Sequence, residues 1–142
     1  KDNFSSGADL PSFQKKLKED PQRVADLGRV AAKELSLLPQ ITIAAIQGHC
    51  IGGAVVLASA CDIRIASENS RFVIPELDAG IPLTWGGLDH LVSLVGFSVA
   101  TDLVTTCREF DAREAYEIGF TSRIITAENF MKELISYSQF SS

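Results

Sequence analysis

The chain has 142 residues, of which 46% are hydrophobic and 22% charged, and its formal net charge is −5 at pH 7. A chain of this length buries about two-thirds of the surface that its unfolded form exposes, so it can build a core without disulfides or metal ions. Its 13 Lys and Arg residues against 18 Asp and Glu residues give no basic surface for a phosphate backbone. Nucleic acid is therefore excluded as an expected partner.

The amino-acid pattern also argues against a membrane partner. The longest stretch without a polar side chain, from Cys50 to Ala58, is too short to cross a bilayer, and the amino end has no apolar signal-peptide core. Cys50, Cys61 and Cys107 are odd in number and lack C-x-x-C spacing. We interpret them as reduced core thiols, which favours a cytoplasmic location and gives no metal site.

Two helices are predicted first along the chain. One covers residues 10–19, with Asp9 as its N-cap and Pro11 in its first turn. The second starts at Asp20-Pro21 and ends before Pro39. Its apolar residues recur at helical spacing, and they are Val24, Leu27, Val30, Ala31, Leu35 and Leu38.

A β-α-β pattern follows. The almost wholly apolar run Ile41 to Gln47 predicts a strand covered on both faces, which ends at Gly48. Residues 54–60 predict a buried helix, and the alternation in residues 61–66 predicts a half-buried strand. Residues 71–75 predict a second short extended segment.

The remaining chain predicts mostly helices. The predicted elements are helices over 86–95, 97–106, 111–118 and 128–137, and a strand over 121–126. Asp111 and Glu114 form a capping pattern at the start of the third of these helices.

Glycines mark the region that we expect to carry chemistry. Six of the ten glycines lie between Gly48 and Gly87. The helix that begins near Gly52-Gly53 has unpaired first-turn N–H groups and the positive end of its dipole, which together favour an anion or an oxyanion. A tight crossing of helix and sheet explains the same glycines equally well.

Several common catalytic motifs are missing from the sequence. There is no G-x-S-x-G elbow, no Walker lysine motif and no H-E-x-x-H. His49-Cys50 is an alternative base and nucleophile, but neighbours at a strand end point to opposite faces. The glycines do not have the G-x-G-x-x-G spacing of a dinucleotide site.

Three motifs in register resemble the enoyl-CoA hydratase/isomerase (crotonase) family. They are F-S-S-G-A-D-L from Phe4, I-A-A-I-Q-G-H-C-I-G-G-A from Ile43 with C-D-I-R-I-A-S from Cys61, and F-V-I-P-E-L-D-A-G-I-P from Phe72 with a later W-G-G. The segment C-R-E-F-D-A-R-E-A-Y-E-I-G-F-T-S-R-I-I from Cys107 is also similar to that family. The resemblance covers Phe4 to about Ile125.

The resemblance implies specific catalytic roles. The backbone N–H groups of Ala8 and Gly53 would hold the carbonyl oxygen of an acyl-CoA thioester, in an oxyanion hole that stabilises an enolate. Glu76 matches one of the two glutamates that hydratases of the family use, whereas Val56 stands at the position of the other. A single glutamate is the pattern of the family's Δ3,Δ2-enoyl-CoA isomerases. Two alternatives stay open. Glu76 is also interpreted as an exposed acid of a loop, and Asp78 is either a second carboxylate of the site or a solvated residue.

The resemblance also implies a substrate-binding set. These residues are Ser6, Gly7, Asp9, Gly52, Val56, Ile81, Leu83 and Trp85. Ser6 and Gly7 would lie beside the nucleotide, and Asp9 would shape that loop besides capping the first helix. The aliphatic members would give an apolar acyl pocket that raises the pKa of Glu76, with Trp85 lining or closing it. Thr84 stands where dehalogenases and hydroxyacyl-CoA hydrolases of the family carry an aspartate.

The implied fold is α/β, a crotonase-like (ClpP/crotonase) spiral of β-β-α units. Family members are longer, so residues 1–142 are expected to be one partial catalytic core that lacks the family's first strands and last helices and exposes apolar surface. The resemblance implies a homo-oligomer, as a trimer or dimer of trimers, an acyl-CoA substrate and no other cofactor. The implied function is Δ3 to Δ2 isomerisation of an enoyl-CoA. The alternatives are a 2-enoyl-CoA hydratase and an inactive acyl-CoA-binding paralogue.

Overall fold

The computed structural model describes residues 2–81, 83 and 86–139. Their elements are, in chain order, α1 (Leu10–Glu19), α2 (Pro21–Ser36), β1 (Ile43–Ile46), β2 (His49–Ile51), α3 (Gly53–Ala60), β3 (Ile63–Ser67), β4 (Arg71–Val73), α4 (Gly87–Val95), α5 (Phe97–Thr106), β5 (Phe110–Asp111), α6 (Ala112–Glu117), β6 (Arg123–Ile125) and α7 (Phe130–Gln139). Among the residues described, no helix is both long and apolar enough to cross a bilayer.

The strands form two three-stranded sheets, and the chain adds strands to both of them as it proceeds. One sheet has the order β1-β3-β6 and is parallel throughout. The other has the order β2-β4-β5, in which β4 runs parallel to β2 and antiparallel to β5. Each successive turn of the chain therefore adds one strand to each sheet, which agrees with the expected spiral of β-β-α units.

Helix α3 lies at the centre of the molecule. Most of its residues are buried, and it contacts α2, α4 and β2. A second part of the core is built from three phenylalanines of β4, β5 and the segment after α6. The rings of Phe72 and Phe110 stack with centroids 5.1 Å apart, and Phe120 meets both edge-on.

A buried arginine fixes the carboxyl end of α3. The Arg64 guanidinium donates from Nε to the carbonyl of Phe120 at 2.6 Å and from Nη1 to that of Cys61 at 2.6 Å. A third bond runs from Nη1 to the Ala58 carbonyl at 3.3 Å. Because a helix leaves its last carbonyls unpaired and carries partial negative charge there, a cation at this end stabilises it. Arg64 thereby ties α3 to the chain that enters β6.

Long-range pairing corrects two predictions about the strands. Strand β2 was not predicted, because the residues between Gly48 and Gly52 gave only a turn signal. Strand β3 is not half-buried: four of its five residues are buried. It is the middle strand of its sheet, so both of its edges are paired and both faces are covered.

Two details of the amino-terminal helices also differ. Asp9 occupies the N-cap position of α1, but its side chain makes no capping hydrogen bond in the described structure. Helix α2 buries Gly28 and Ala32 rather than Leu27 and Val30, which are 62% and 46% exposed. Small residues are buried there because they let α2 approach α3 closely.

The caps of α2 and α6 and the burial of the cysteines follow the predictions. Asp20 and Asp111 each accept a hydrogen bond from the backbone N–H three residues on, at 3.1 and 2.8 Å. Cys50 and Cys107 are buried, Cys61 is partly buried, and all three are free thiols.

Candidate active site

A cavity of about 190 Å³ opens at the amino end of α3. Its backbone-rich side consists of Ser6, Gly7, Ala8, Gly52 and Gly53. The cavity is also lined by the predicted residues Val56, Glu76, Ile81 and Leu83. Nine of the eleven residues proposed from the sequence therefore line one cavity.

The cavity forms where three chain segments continue from one row of paired residues in β2, β4 and the segment before α1. Ser5 forms a parallel bridge with Cys50, and Cys50 pairs with Phe72 of β4. The Ser5 N–H donates to the His49 carbonyl at 2.9 Å, and the Ile51 N–H donates to the Ser5 carbonyl at 3.1 Å. Since parallel segments advance together, residues that lie three or four positions beyond this row arrive at the same place.

Two backbone N–H groups at this place are available for a ligand. Ala8 and Gly53 each follow the paired row by three positions, and within the described residues neither N–H has a hydrogen-bond acceptor. Gly53 is the first residue of α3, so its N–H is one of the orphan donors of a helix start. By contrast, the Gly52 N–H donates a hydrogen bond to the Val73 carbonyl at 2.9 Å. The arrangement supports an oxyanion hole at Ala8 and Gly53.

Glu76 reaches the cavity through a tight turn after β4. The Ile81 N–H donates to the Glu76 carbonyl at 2.8 Å, and the Gly80 N–H donates to that of Leu77 at 3.0 Å. This pair of bonds is a Schellman-type closure, which needs a left-handed residue; Gly80 supplies it with a φ of +65°. The turn folds Ile81 back against the cavity and makes Glu76 a part of its wall rather than an exposed loop acid.

The Glu76 carboxyl lies in an apolar environment. Its Oε2 atom is buried and has no hydrogen-bond partner in the described structure. Burial raises the pKa of the Glu76 carboxyl above its ordinary value, and a bond from its own backbone N–H opposes part of this rise. Among the described residues that line the cavity, no other side chain is titratable. A raised pKa of a carboxyl that lines a cavity is typical of a group that exchanges a proton with a ligand.

Val56 lines the same cavity as the carboxylate. Its side chain is buried and packs with Ala32, Ala60 and Leu83. A Cβ atom added to Gly87 would overlap the Val56 methyl groups, so α4 presses directly on this residue. Val56 therefore leaves no carboxylate at the position that the resemblance assigns to the first glutamate of hydratases.

Two of the proposed binding residues are not part of the described cavity. Asp9 is exposed and does not line it, while Trp85, like Thr84, lies outside the described residues. Asp78 is exposed on the same turn as Glu76.

The alternative pair of His49 and Cys50 does not assemble as a base and a nucleophile. His49 is exposed and its Nδ1 lies 3.0 Å from Asn3 Oδ1. Cys50 is buried, and burial raises its pKa to about 12, which leaves the thiol protonated and unreactive.

Four further lining residues were not predicted: Phe13, Ile51, Pro75 and Ala79. Ile51, Pro75 and Ala79 lie within the motifs, so their position there was the available signal. Phe13 comes from α1, where it is the sole aromatic residue among charged, polar and aliphatic ones. That contrast was its signal.

Comparison with known proteins agrees with this geometry. A sequence model described as enoyl-CoA hydratase/isomerase matches residues 1–140. The chain belongs to the enoyl-CoA hydratase/isomerase family. It is 35% identical over 129 residues to the short-chain-enoyl-CoA hydratase of Clostridium acetobutylicum, a match that covers 91% of this chain and 49% of the relative.

The relatives of this chain are named for different reactions. It is 44% identical over 87 residues to a peroxisomal Delta(3,5)-Delta(2,4)-dienoyl-CoA isomerase of Arabidopsis thaliana, a match that covers 61% of this chain and 31% of that protein. Hydratases and isomerases are thus both among its relatives, and the chain is similar to enzymes of this family. It spans about half the length of the first of these relatives.

Solved structures establish the crotonase fold. A Thermobifida fusca YX protein, solved in complex with acetoacetyl-CoA, superposes with a TM-score of 0.89 at 29% identity. The match covers 98% of the present chain and 59% of the Thermobifida fusca chain. The spiral of β-β-α units is therefore the fold of known acyl-CoA-binding relatives.

We predict that Glu76→Gln stabilises the folded protein at neutral pH. Because burial raises the folded-state pKa of Glu76, its contribution to stability is complete below the ordinary glutamate pKa and is lost as pH rises through the raised value. Thermal unfolding at neutral pH should therefore give a higher midpoint for the variant, and the gain should shrink at acidic pH. The exposed Asp78→Asn is the matched control; a gain that is equal in both variants would contradict the argument.

Proposed function

We propose that this protein is an enoyl-CoA isomerase that moves a double bond from Δ3 to Δ2 of an acyl-CoA thioester. The observation that carries the proposal is the cavity itself, in which Glu76 is the single titratable side chain among the described lining residues and Val56 replaces a second carboxylate. One carboxylate is sufficient to move a proton between two carbons. Holding and deprotonating a water molecule is helped by two.

The proposed reaction begins with the thioester carbonyl oxygen between the N–H groups of Ala8 and Gly53. The Glu76 carboxylate removes a proton from C2, and the C2–H electron pair forms the enolate, whose oxygen carries the negative charge that the two N–H groups stabilise. The enolate then re-forms the carbonyl, the double bond shifts to C2–C3, and C4 takes the proton back from Glu76. The enzyme returns to its starting state and no co-reactant is consumed.

The lining supports this chemistry in two ways. Ile81 and Leu83 give an apolar surface that suits an acyl chain. The same surface raises the pKa of Glu76, which brings the carboxyl closer to a base of neutral pH. An acyl-CoA substrate is also supported by the related Thermobifida fusca structure with acetoacetyl-CoA. A homo-oligomer, as a trimer or dimer of trimers, and the absence of another cofactor are part of the same proposal.

Hydration of a 2-enoyl-CoA is the second candidate function. It is favoured by the Clostridium acetobutylicum relative, which is named a hydratase. Glu76 would then activate water alone. An inactive protein that only binds acyl-CoA is the outcome if neither enoyl isomer is turned over.

The first test is Glu76→Gln in the intact protein. We expect the rate of isomerisation of a 3-enoyl-CoA to fall by about 10² to 10⁴, because the amide cannot take the C2 proton. The measurement is kcat with 3-enoyl-CoA, alongside hydration of 2-enoyl-CoA. Asp78→Asn removes a carboxylate from the same turn without touching the cavity and should keep its activity. Full activity of Glu76→Gln would overturn the proposal.

The second test removes one oxyanion-hole donor by Gly53→Pro. Proline is tolerated at the first position of a helix because that N–H has no partner within the helix. We therefore expect α3 to form while kcat falls by about 10² to 10³.

Phe97→Pro is the control for this second test, since Phe97 is the first residue of α5 and its side chain is 74% exposed. Circular dichroism should show both variants folded, with activity lost only in Gly53→Pro. Equal activity of the two variants would exclude the Gly53 N–H from the oxyanion hole.

A further inference from the structure

We propose that Gly52 is a positioning residue whose missing side chain forms the seat of the Glu76 carboxylate. The inference rests on the proposed function of Glu76. It assigns to Gly52 a role different from the substrate contact expected from the sequence.

The contact between Gly52 and Glu76 is direct. A Cβ atom built on Gly52 would lie 2.9 Å from Glu76 Oε1 and 3.6 Å from its Cδ. Gly52 also has a φ of +61°, which side-chain-bearing residues rarely adopt. The carboxylate therefore lies against the Cα of Gly52, in space that any other residue would fill.

The backbone of Gly52 is held on both sides by the protein itself. Its N–H donates to the Val73 carbonyl at 2.9 Å, and its carbonyl accepts from the Val55 N–H at 2.8 Å. Neither polar group is left for substrate. Because Val73 ends β4 only three residues before Glu76, the same hydrogen bond fixes the seat relative to the turn that carries the carboxylate.

The seat explains why the carboxylate lies beside the oxyanion hole. Gly52 directly precedes Gly53, so a carboxylate resting on Gly52 is held at the same end of α3 as the Gly53 N–H. Proton transfer requires such placement, and a displacement of about 1 Å can lower a rate about 10²-fold. The carboxylate is the free end of its side chain, so a methyl group at residue 52 would move it before it moved the fold.

No other titratable side chain of the described residues lines the cavity, so the pH profile of kcat can report on the position of the Glu76 carboxylate. The other described residues lining the cavity, from α1, β2, α3 and the turn after β4, carry no titratable side chain. Asp78, on the same turn, is exposed. The acid limb of kcat should therefore report on Glu76 alone.

The experiment compares Gly52→Ala with Gly96→Ala in the intact protein, with a 3-enoyl-CoA as substrate. Gly96 also has a positive φ, of +81°, but a Cβ there would meet nothing within 4 Å, so it controls for backbone strain. We expect kcat of Gly52→Ala to fall about 10²-fold with KM little changed. Its acid limb should also move to lower pH, because the displaced carboxylate is less buried.

A second measurement keeps the test decisive if Gly52→Ala folds poorly. In a Glu76→Ala background the added methyl group has no carboxylate to displace, so Gly52→Ala should lower the unfolding midpoint no more than Gly96→Ala does. Equal loss in both backgrounds, or a kcat and acid limb like those of Gly96→Ala, would overturn the role of Gly52. Full activity of Glu76→Gln would instead overturn the proposed function, so the two failures are distinguishable.

Discussion

The short strand β2 is the constraint on which the site depends. Its central residue, Cys50, pairs with Ser5 on one side and Phe72 on the other. From this one row, three segments continue to Ala8, to Gly53 and to the turn of Glu76. A shift in either pairing would separate the two N–H groups from each other or from the carboxylate. Cys50 is completely buried, which explains why this small, inert side chain fits at the crossing better than a larger one.

The apolar cavity imposes a conflict between stability and function. A carboxyl in a largely apolar wall, whose buried Oε2 atom has no hydrogen-bond partner in the described structure, is unfavourable when ionised. The fold tolerates it because the surrounding elements are held independently, by the closure at Gly80 and by the anchoring of α3 through Arg64. Strained or desolvated groups persist where the surrounding structure over-determines them. The same desolvation brings the Glu76 carboxyl towards the protonation behaviour that proton transfer needs.

Local signals in the sequence predicted most helices well. Residues 10–19 and 97–106 form helices with the predicted bounds, because caps, prolines and glycines mark helix ends in the sequence itself. Strand β2, the burial of β3 and the buried face of α2 were not predicted correctly. Each of these depends on a partner distant in sequence, which periodicity does not reveal.

The site was predictable in its parts but not in its contacts. The resemblance to the enoyl-CoA hydratase/isomerase family implied that Ala8, Gly53 and Glu76 belong to one site, and the structure brings all three to one cavity. Phe13 and the contact between Gly52 and Glu76 became visible only in the fold. A residue that contributes only the absence of a side chain gives no chemical signal in a sequence beyond being a glycine.

The central claim is that Glu76 moves a proton within a cavity that does not activate water. The most direct test is to turn over a 3-enoyl-CoA in water labelled with heavy oxygen and to analyse the product by mass spectrometry. The account predicts a 2-enoyl-CoA that contains no label. No conversion of the 3-enoyl-CoA would contradict the account, because no proton would have been moved. A labelled 3-hydroxyacyl-CoA as the main product would also contradict it, because water would then have been added to the 2-enoyl-CoA after the double bond had shifted.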